Sequence, residues 1–173
     1  YPLLPTADGS FASAAQVIKA YNSRISVIMG GLATGDIQYV TDVRNANAAV
    51  FTDVDGIGLH PYGKSPNGWC ASGCASYSLP LGDLATDVTR YKQASGLPIW
   101  ITEIGAKTGD QKWQAEYLSR SFSVLSQIGV PVVIWYGLND GGNGPRGLVD
   151  SYGKLKLSGN AFRAFSEVSP VTH

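Results

Sequence analysis

An acidic residue closes one of the most apolar runs of the sequence, which reads Pro-Ile-Trp-Ile-Thr over residues 98–102 and is followed by Glu103. If this run is a β-strand with alternating side chains, Glu103 shares a face with Ile99 and Ile101. A carboxylate on such a face costs several kcal/mol unless something compensates it. Catalytic groups occupy the carboxyl ends of strands in parallel barrels. The position therefore favours a largely buried catalytic carboxylate over a structural glutamate that caps a loop or pairs with an arginine.

Aromatic and polar side chains follow two other apolar runs. His60 and Tyr62 come after the run 54–59, where Tyr62 can hold a neighbouring carboxylate ionised and His60 can bind a hydroxyl or orient a partner. The alternative for His60 is to anchor a loop beside a proline turn. Trp135 ends the run 130–134, and its indole either offers an apolar face to a sugar ring or fills the core. Trp69 and Asn139 lie in loops and are candidates for outer binding contacts.

The elements that position these residues alternate between apolar runs and stretches of helical periodicity. The pattern predicts strands over residues 25–31, 54–60, 98–103 and 130–136. It predicts helices over residues 11–21 behind Ser10 as N-cap, 36–48 with Asp36 as N-cap, 81–95 before Gly96, 110–128 before Gly129, and from about Ser158 onwards.

Strands that alternate with helices, without a hairpin signal, indicate parallel strands joined by right-handed crossovers. Four such units in 173 residues predict an α/β fold that forms about half of a (β/α)8 barrel, since a whole barrel takes about 250 residues. We expect residues 1–173 to form a single domain. A small doubly wound sheet is the alternative, although no glycine-rich phosphate loop joins a strand to a helix.

The composition excludes several classes of protein. Thirteen basic residues balance thirteen acidic ones, so the basic surface of a nucleic-acid-binding protein is not expected. No apolar stretch reaches the about 18 residues of a membrane span. Gly-x-Ser-x-Gly does not occur, so an esterase elbow is not supported. We predict neither a cofactor nor a metal site.

With these residues in view, the sequence resembles the retaining glycosidases of clan A, which include cellulase-like and β-xylosidase-like enzymes. The matching motifs are VIMGGLA at residues 27–33, IGLHPY at 57–62, WITEIG at 100–105 and VIWY at 133–136, which are similar to the fifth to eighth strands of that barrel. Residues 147–154 are similar to the segment before its last helix.

The resemblance implies roles for individual residues and a carbohydrate substrate. Glu103 corresponds to the nucleophile that ends the seventh strand, Tyr62 to the tyrosine that supports it, and Trp135 to the tryptophan of the sugar subsite. His60 is expected beside them. The general acid of the family is a glutamate in an Asn-Glu pair on the fourth strand, and this pair does not occur in the 173 residues. The expected partner is therefore the N-terminal half of the barrel or, less favoured, a second copy of the chain.

Three functions remain open on the sequence alone. The first is hydrolysis of O-glycosidic bonds by a retaining mechanism that needs two carboxyl groups. The second is a catalytically incomplete half barrel that only binds carbohydrate. The third is a doubly wound domain with an unrelated small-molecule site, which the order of the strands would distinguish.

Two cysteines lie close together in a loop rich in glycine and serine. Cys70 and Cys74 have the spacing of a small loop disulfide, which indicates an oxidising compartment and a secreted protein. We predict that this bond forms, so alkylation of the folded, unreduced protein should label neither thiol by mass spectrometry, and reduction should release both. Ready labelling of both thiols without reduction would show that the prediction is wrong.

Overall fold

The computed structural model describes residues 3–5, 11–32, 37–61, 84–142 and 144–168. The strands are β1 (Leu3–Pro5), β2 (Phe11–Ser13), β3 (Ile28–Leu32), β4 (Gly56–Leu59), β5 (Ile99–Ile104) and β6 (Val133–Trp135). The helices are α1 (Ala14–Tyr21), α2 (Ile37–Ala46), α3 (Val50–Asp53), α4 (Leu84–Ser95), α5 (Gln111–Gln127) and α6 (Leu157–Val168). All four strands predicted for the parallel sheet are present as β3 to β6, with bounds that differ by a few residues.

The strand order decides between the two predicted architectures. β3, β4, β5 and β6 form one parallel sheet in chain order. Helices α2, α4, α5 and α6 follow in the same order, each in contact with the next. A doubly wound sheet reverses its strand order and carries helices on both faces. The half of a (β/α)8 barrel is therefore confirmed, and the doubly wound alternative is not what the chain adopts.

The longest helix in the described part of the chain, α5, begins and ends within one residue of its predicted bounds. Asp110 caps α5, and its Oδ1 accepts hydrogen bonds from the backbone N–H groups of Lys112 and Trp113. Gly129 follows the helix with φ 72°, a left-handed conformation that favours glycine. None of the helices in the described ranges is long and apolar enough to cross a membrane.

The N-terminal part of the chain differs from the prediction. β1 and β2 form an antiparallel pair that no hairpin signal indicated. Helix α1 begins after Ser13, whose hydroxyl accepts from the N–H of Gln16 while the Gln16 side chain accepts from the N–H of Ser13. This capping box makes Ser13 the N-cap, and the prediction of Ser10 is wrong because the extended residues before Ser13 pair with β1. Asp36 lies outside the described residues.

The two faces of the sheet have different environments. Ile57, Leu59, Ile99 and Ile101 are at most 2% exposed and pack in the core between the sheet and the helices. The opposite side of β4 and β5 contains Gly56, Gly58, Trp100 and Thr102, because a Cβ on either glycine would meet the side chain across from it. We call this side the inner face, since it lines the interior of a closed barrel.

Strict alternation fails in β5 because the strand contains a β-bulge. Ile101 pairs with Val133 and Ile104 pairs with Trp135, so β5 advances three residues where β6 advances two. Ile104 is fully buried on the helix side, as Ile101 is. Two consecutive residues between them, Thr102 and Glu103, are thereby directed to the inner face. The prediction that Glu103 shares a face with Ile99 and Ile101 is therefore wrong.

A second bulge occurs at the same end of β3. Met29 pairs with Ile57 and Leu32 pairs with Leu59, so two glycines, Gly30 and Gly31, occupy the space of one residue. Because β3 and β5 flank β4, the two bulges border its carboxyl end from both sides. That end is where His60 leaves the sheet.

An ionic contact ties the opposite end of the sheet to α1. The Asp55 carboxylate lies 2.6 Å from Nζ of Lys19 and accepts from the N–H of Val27 at 2.7 Å. The hydrogen bond from Lys19, followed by the one from Val27, lowers the pKa of Asp55 below its usual value. A carboxyl group whose pKa is lowered by folding stabilises the folded state at pH values above its ordinary pKa. That contribution is lost as the pH falls through the lowered pKa.

Candidate active site

Glu103 and His60 meet at the carboxyl end of the sheet, on the inner face. Oε2 of Glu103 lies 3.6 Å from Nδ1 of His60. The side chain of His60 is 23% exposed and that of Glu103 is 29% exposed. Glu103 is therefore less buried than the sequence predicted, and its carboxylate is accessible to solvent. The two residues come together because the bulge in β5 directs Glu103 to the side on which His60 leaves β4.

His60 is held by its backbone and by its ring. Its N–H donates to the carbonyl oxygen of Leu32 at 2.9 Å, which extends the ladder between β3 and β4. Its Nε2 lies 3.0 Å from Oγ1 of Thr102 on the neighbouring strand. Sequence reasoning did not select Thr102, because the alternation that it assumed keeps Thr102 and Glu103 on opposite faces.

Two glycines provide the space for this pair of contacts. A Cβ at Gly31 would lie within 2.8 Å of three atoms of the His60 ring, closer than real Cβ atoms approach their neighbours. A Cβ at Gly58 would lie 2.9 Å from Oγ1 of Thr102. The ring of His60 and the hydroxyl of Thr102 therefore occupy the volumes that side chains at residues 31 and 58 would fill.

Trp135 does not reach the site. The residue is 7% exposed and packs edge to face against Tyr117 and Phe122 of α5. Its indole N–H donates to the carbonyl oxygen of Arg146 at 2.9 Å. The prediction that Trp135 forms a sugar platform is corrected: it fills the core between β6 and the helices, which was the alternative considered for it.

Tyr136 is the aromatic residue that the sequence analysis missed. Its N–H donates to the carbonyl oxygen of Ile104 at 2.7 Å, which continues the ladder from β5 to β6. Since Trp135 points to the helices, alternation directs Tyr136 to the inner face. The guanidinium of Arg146 lies 5.8 Å from the centre of the Tyr136 ring. The aromatic pair at residues 135 and 136 contained this signal, but the face of each ring depends on the register with β5.

The loop after β6 is held by a buried ion pair. Both carboxylate oxygens of Asp140 contact Nζ of Lys156, at 2.9 and 3.0 Å, and the lysine side chain is 4% exposed. Asp140 also accepts from the N–H of Gly147 at 2.7 Å. Asn139, a predicted sugar contact, is exposed in this loop and pairs through its backbone with Val149. Asp140 thus has a structural role.

A fully buried amide joins the loops that follow β5 and β6. Nε2 of Gln114 donates to the carbonyl oxygens of Ala106 at 3.0 Å and Pro145 at 2.9 Å. Its Oε1 accepts from the hydroxyl of Ser158 at 2.9 Å. One side chain of α5 thereby fixes both loops and the start of α6 relative to one another.

Three predicted features fall outside the described residues. These are Tyr62, Trp69 and the pair Cys70 and Cys74. Within the described ranges, no group of three His, Cys, Asp or Glu side chains has the arrangement of a metal site. The chemistry open to the described site is that of a carboxylate beside an imidazole: nucleophilic attack or stabilisation of positive charge by Glu103, and donation or acceptance of a hydrogen bond by His60.

The position of Glu103 at the carboxyl end of a parallel barrel sheet is consistent with the protein family that the sequence matches. The family model of the glycosyl hydrolase catalytic core matches residues 68–162, which is more than half of the chain. The chain belongs to this family. Thr102, Glu103 and Tyr136 lie within the matched segment of the glycosyl hydrolase core, and His60 lies before it. No curated protein matches the chain.

Solved structures of glycosidases share the fold of this core. The chain superimposes on a family 39 glycoside hydrolase from Bacteroides cellulosilyticus WH2 with a TM-score of 0.62 and 25% identity, over 83% of this chain and 34% of the other. An endo-β-1,3-glucanase of family 128 from Amycolatopsis mediterranei, in complex with laminaripentaose, superimposes with a TM-score of 0.61 and 22% identity, over 86% of this chain and 61% of the other. A β-glycosidase superimposes with a TM-score of 0.57 and 19% identity, over 92% of this chain and 47% of the other. The chain thus spans between about a third and three-fifths of the length of these proteins.

We predict that Gly31→Ala displaces the ring of His60, because the new methyl group would overlap the imidazole. Overpacking of this kind costs about 1–3 kcal/mol. A crystal structure of the variant should show His60 turned away from Thr102, and the free energy of unfolding should fall by that amount. Gly30→Ala is the matched control, since a Cβ there meets no atom within 4 Å. An unmoved ring in Gly31→Ala would contradict the role assigned to the glycine.

Proposed function

We propose that the protein is a retaining glycosidase that acts on β-linked sugars, with Glu103 as its nucleophile. The observation that carries this proposal is the position of Glu103, which the bulge in β5 directs to the inner face at the carboxyl end of the sheet, beside His60. Membership of the glycosyl hydrolase core family supports it. Similarity to the structures of a β-glycosidase and an endo-β-1,3-glucanase supports a β-linkage in the substrate.

In the proposed reaction, a carboxylate oxygen of Glu103 attacks the anomeric carbon as the bond to the leaving oxygen breaks. A second carboxyl group donates its proton to that oxygen, so the alcohol leaves neutral. The same group, now a carboxylate, then takes a proton from water, and the resulting hydroxide equivalent displaces Glu103 from the sugar. Retention requires the two carboxyl groups to lie about 5–5.5 Å apart.

The second carboxyl group is proposed to come from strands outside this chain's sheet. The loops after β5 and β6 contain three acidic residues: Asp110 caps α5, Asp140 is engaged by Lys156, and Asp150 accepts hydrogen bonds from the backbone N–H groups of Tyr152 and Lys154. Each carboxylate is thus engaged within the loops themselves. The family places its general acid in an Asn-Glu pair on the fourth strand, and the 173 residues contain no such pair.

Other residues are proposed to bind the sugar and support the nucleophile. Tyr136, rather than Trp135, offers an aromatic ring to the C–H face of the bound sugar. His60 supports the ionised carboxylate of Glu103, and Tyr62 is proposed to do so from the loop after β4. Trp69 and Asn139 are proposed as outer contacts. The disulfide between Cys70 and Cys74 and secretion of the protein belong to the same proposal.

We predict that Glu103→Gln lowers the turnover rate of aryl β-glycosides by at least about 10³-fold, because an amide cannot act as the nucleophile, while the sugar still binds. Loss of turnover is read by release of the aryl group, and binding by calorimetry. Glu116→Gln is the control, since Glu116 is 51% exposed on α5 and pairs with Arg120. An activated 2-fluoro β-glycoside should label Glu103 covalently in the unmodified protein.

Several outcomes would overturn the assignment. Turnover by Glu103→Gln close to that of the unmodified protein would exclude Glu103 as nucleophile. Binding of oligosaccharide by the assembled protein without any turnover would favour the carbohydrate-binding half barrel. Inversion of the anomeric configuration, followed by NMR, would keep the hydrolase and exclude covalent attack.

The edges of the sheet support a partner for this chain. β3 and β6 each lack a neighbouring strand on one side within the described ranges. A groove of about 490 Å³ borders β3, and another of about 280 Å³ borders β6. Ile134 is 49% exposed, and its neighbours Val133 and Trp135 both contact the helix side. We propose that strands from the N-terminal half of the barrel cover these edges and the inner face, since open parallel edges and exposed apolar surface are unfavourable.

We predict that the isolated chain does not persist as an 18.3 kDa monomer, because the open edges of its sheet and its exposed apolar inner face are unfavourable in water. Light scattering should detect a larger species or a complex with the rest of the barrel. Ile134→Lys should weaken that assembly by placing a charge on the inner face. Leu138→Lys is the control, because Leu138 is 73% exposed in the loop after β6. A stable, monodisperse monomer of the unmodified chain would contradict the prediction.

A further inference from the structure

The imidazole of His60 has a different neighbour at each ring nitrogen. Nε2 lies 3.0 Å from Oγ1 of Thr102, and Nδ1 lies 3.6 Å from Oε2 of Glu103. A neutral imidazole carries one ring proton, so one nitrogen is a donor while the other is an acceptor. The two contacts are therefore linked: the nitrogen that carries the proton can only donate a hydrogen bond, and the other nitrogen can only accept one.

We propose that Thr102 is a positioning residue whose hydroxyl donates to Nε2 of His60 and keeps the ring proton on Nδ1, facing Glu103. A threonine hydroxyl can donate or accept, whereas an ionised carboxylate can only accept. If Thr102 accepted a proton from Nε2, the lone pair of Nδ1 would face the carboxylate, and two acceptors would oppose each other. Donation by Thr102 gives both contacts a donor and an acceptor.

The bulge in β5 makes this arrangement possible. It directs the consecutive residues Thr102 and Glu103 to one face, so a single imidazole ring spans both side chains. Gly58 leaves room for the hydroxyl, because a Cβ there would lie 2.9 Å from Oγ1 of Thr102. The backbone of His60 is fixed by its hydrogen bond to Leu32, so the ring stays over this pair.

The inference deepens the proposed function and rests on it in one respect, the role of Glu103 as nucleophile. An Nδ1–H group directed at Glu103 favours the ionised carboxylate that attack requires. The distance of 3.6 Å is longer than a hydrogen bond, and catalytic contacts of this kind shorten when substrate binds. Thr102 thus acts on the nucleophile through His60 and does not itself touch the sugar.

The test is to read the tautomer of His60 directly by NMR of the ¹⁵N-labelled full chain in its assembled form. The spectra are recorded at about pH 8, above the ordinary histidine pKa of about 6.5. The sequence contains only His60 and His173, so His173→Gln assigns the resonances. The expected result is a protonated Nδ1 and an unprotonated Nε2. A proton on Nε2 in the unmodified protein would overturn the proposal without any variant.

Two variants of Thr102 separate the hydroxyl from the shape of the side chain. Thr102→Ser keeps the hydroxyl and should retain the single Nδ1–H tautomer. Thr102→Val keeps the branched shape and should give a mixture of tautomers, with backbone amide shifts remote from His60 unchanged. A single Nδ1–H tautomer in Thr102→Val would overturn the proposal.

Glu103→Leu identifies which neighbour sets the tautomer. If Thr102 sets it, Nδ1 stays protonated after the carboxylate is removed. If the tautomer becomes mixed in Glu103→Leu and is unchanged in Thr102→Val, the carboxylate sets it and the proposal is overturned. Failure of the proposed function is read separately, as unchanged turnover in Glu103→Gln.

Discussion

The site depends on one extra residue in β5. Ile101 and Ile104 are both completely buried on the helix side, and burial of each such side chain contributes about 1.5–3 kcal/mol. Because both isoleucines stay in the core, the two residues between them must leave it together. A regular strand with Ile101 in the core would place Glu103 in the core and Ile104 on the inner face, and an uncompensated carboxylate in the core costs several kcal/mol. The apolar core therefore directs Glu103 outward, and the chemistry of the site follows from packing on the other side of the sheet.

The glycines of β3 and β4 complete what the bulge begins. Side chains at residues 31 and 58 would overlap the space that the imidazole of His60 and the hydroxyl of Thr102 occupy. Gln114, which is fully buried, joins the loops after β5 and β6 through hydrogen bonds to two carbonyl oxygens. Polar groups at the mouth are thus fixed by satisfied hydrogen bonds from helix α5, and an unsatisfied buried carbonyl would cost about 1–3 kcal/mol.

Much of the fold was predictable because its signals are local. The helical periodicity before Gly129, the cap at Asp110 and the apolar runs of the four parallel strands are all contained in short stretches of sequence. The bulge in β5 has no such local signal, because it is a property of the pairing with β6 and no residue type within the run indicates it. The same dependence on register explains why Glu103 was predicted as catalytic on an incorrect face, why Thr102 and Tyr136 were missed, and why Trp135 was expected at the mouth. The antiparallel pair of β1 and β2 was missed because its strands are three residues each.

The close approach of Gly31 to His60 constrains the order in which these two positions can change during evolution. A larger residue at 31 is excluded while the imidazole occupies its volume. A smaller residue at 60 would release position 31, after which a side chain there would block the return of histidine. Related sequences that keep histidine at 60 should therefore have glycine at 31, and a second group with a side chain at 31 should lack the histidine. This second group would arise only through an intermediate that had already lost the imidazole beside Glu103.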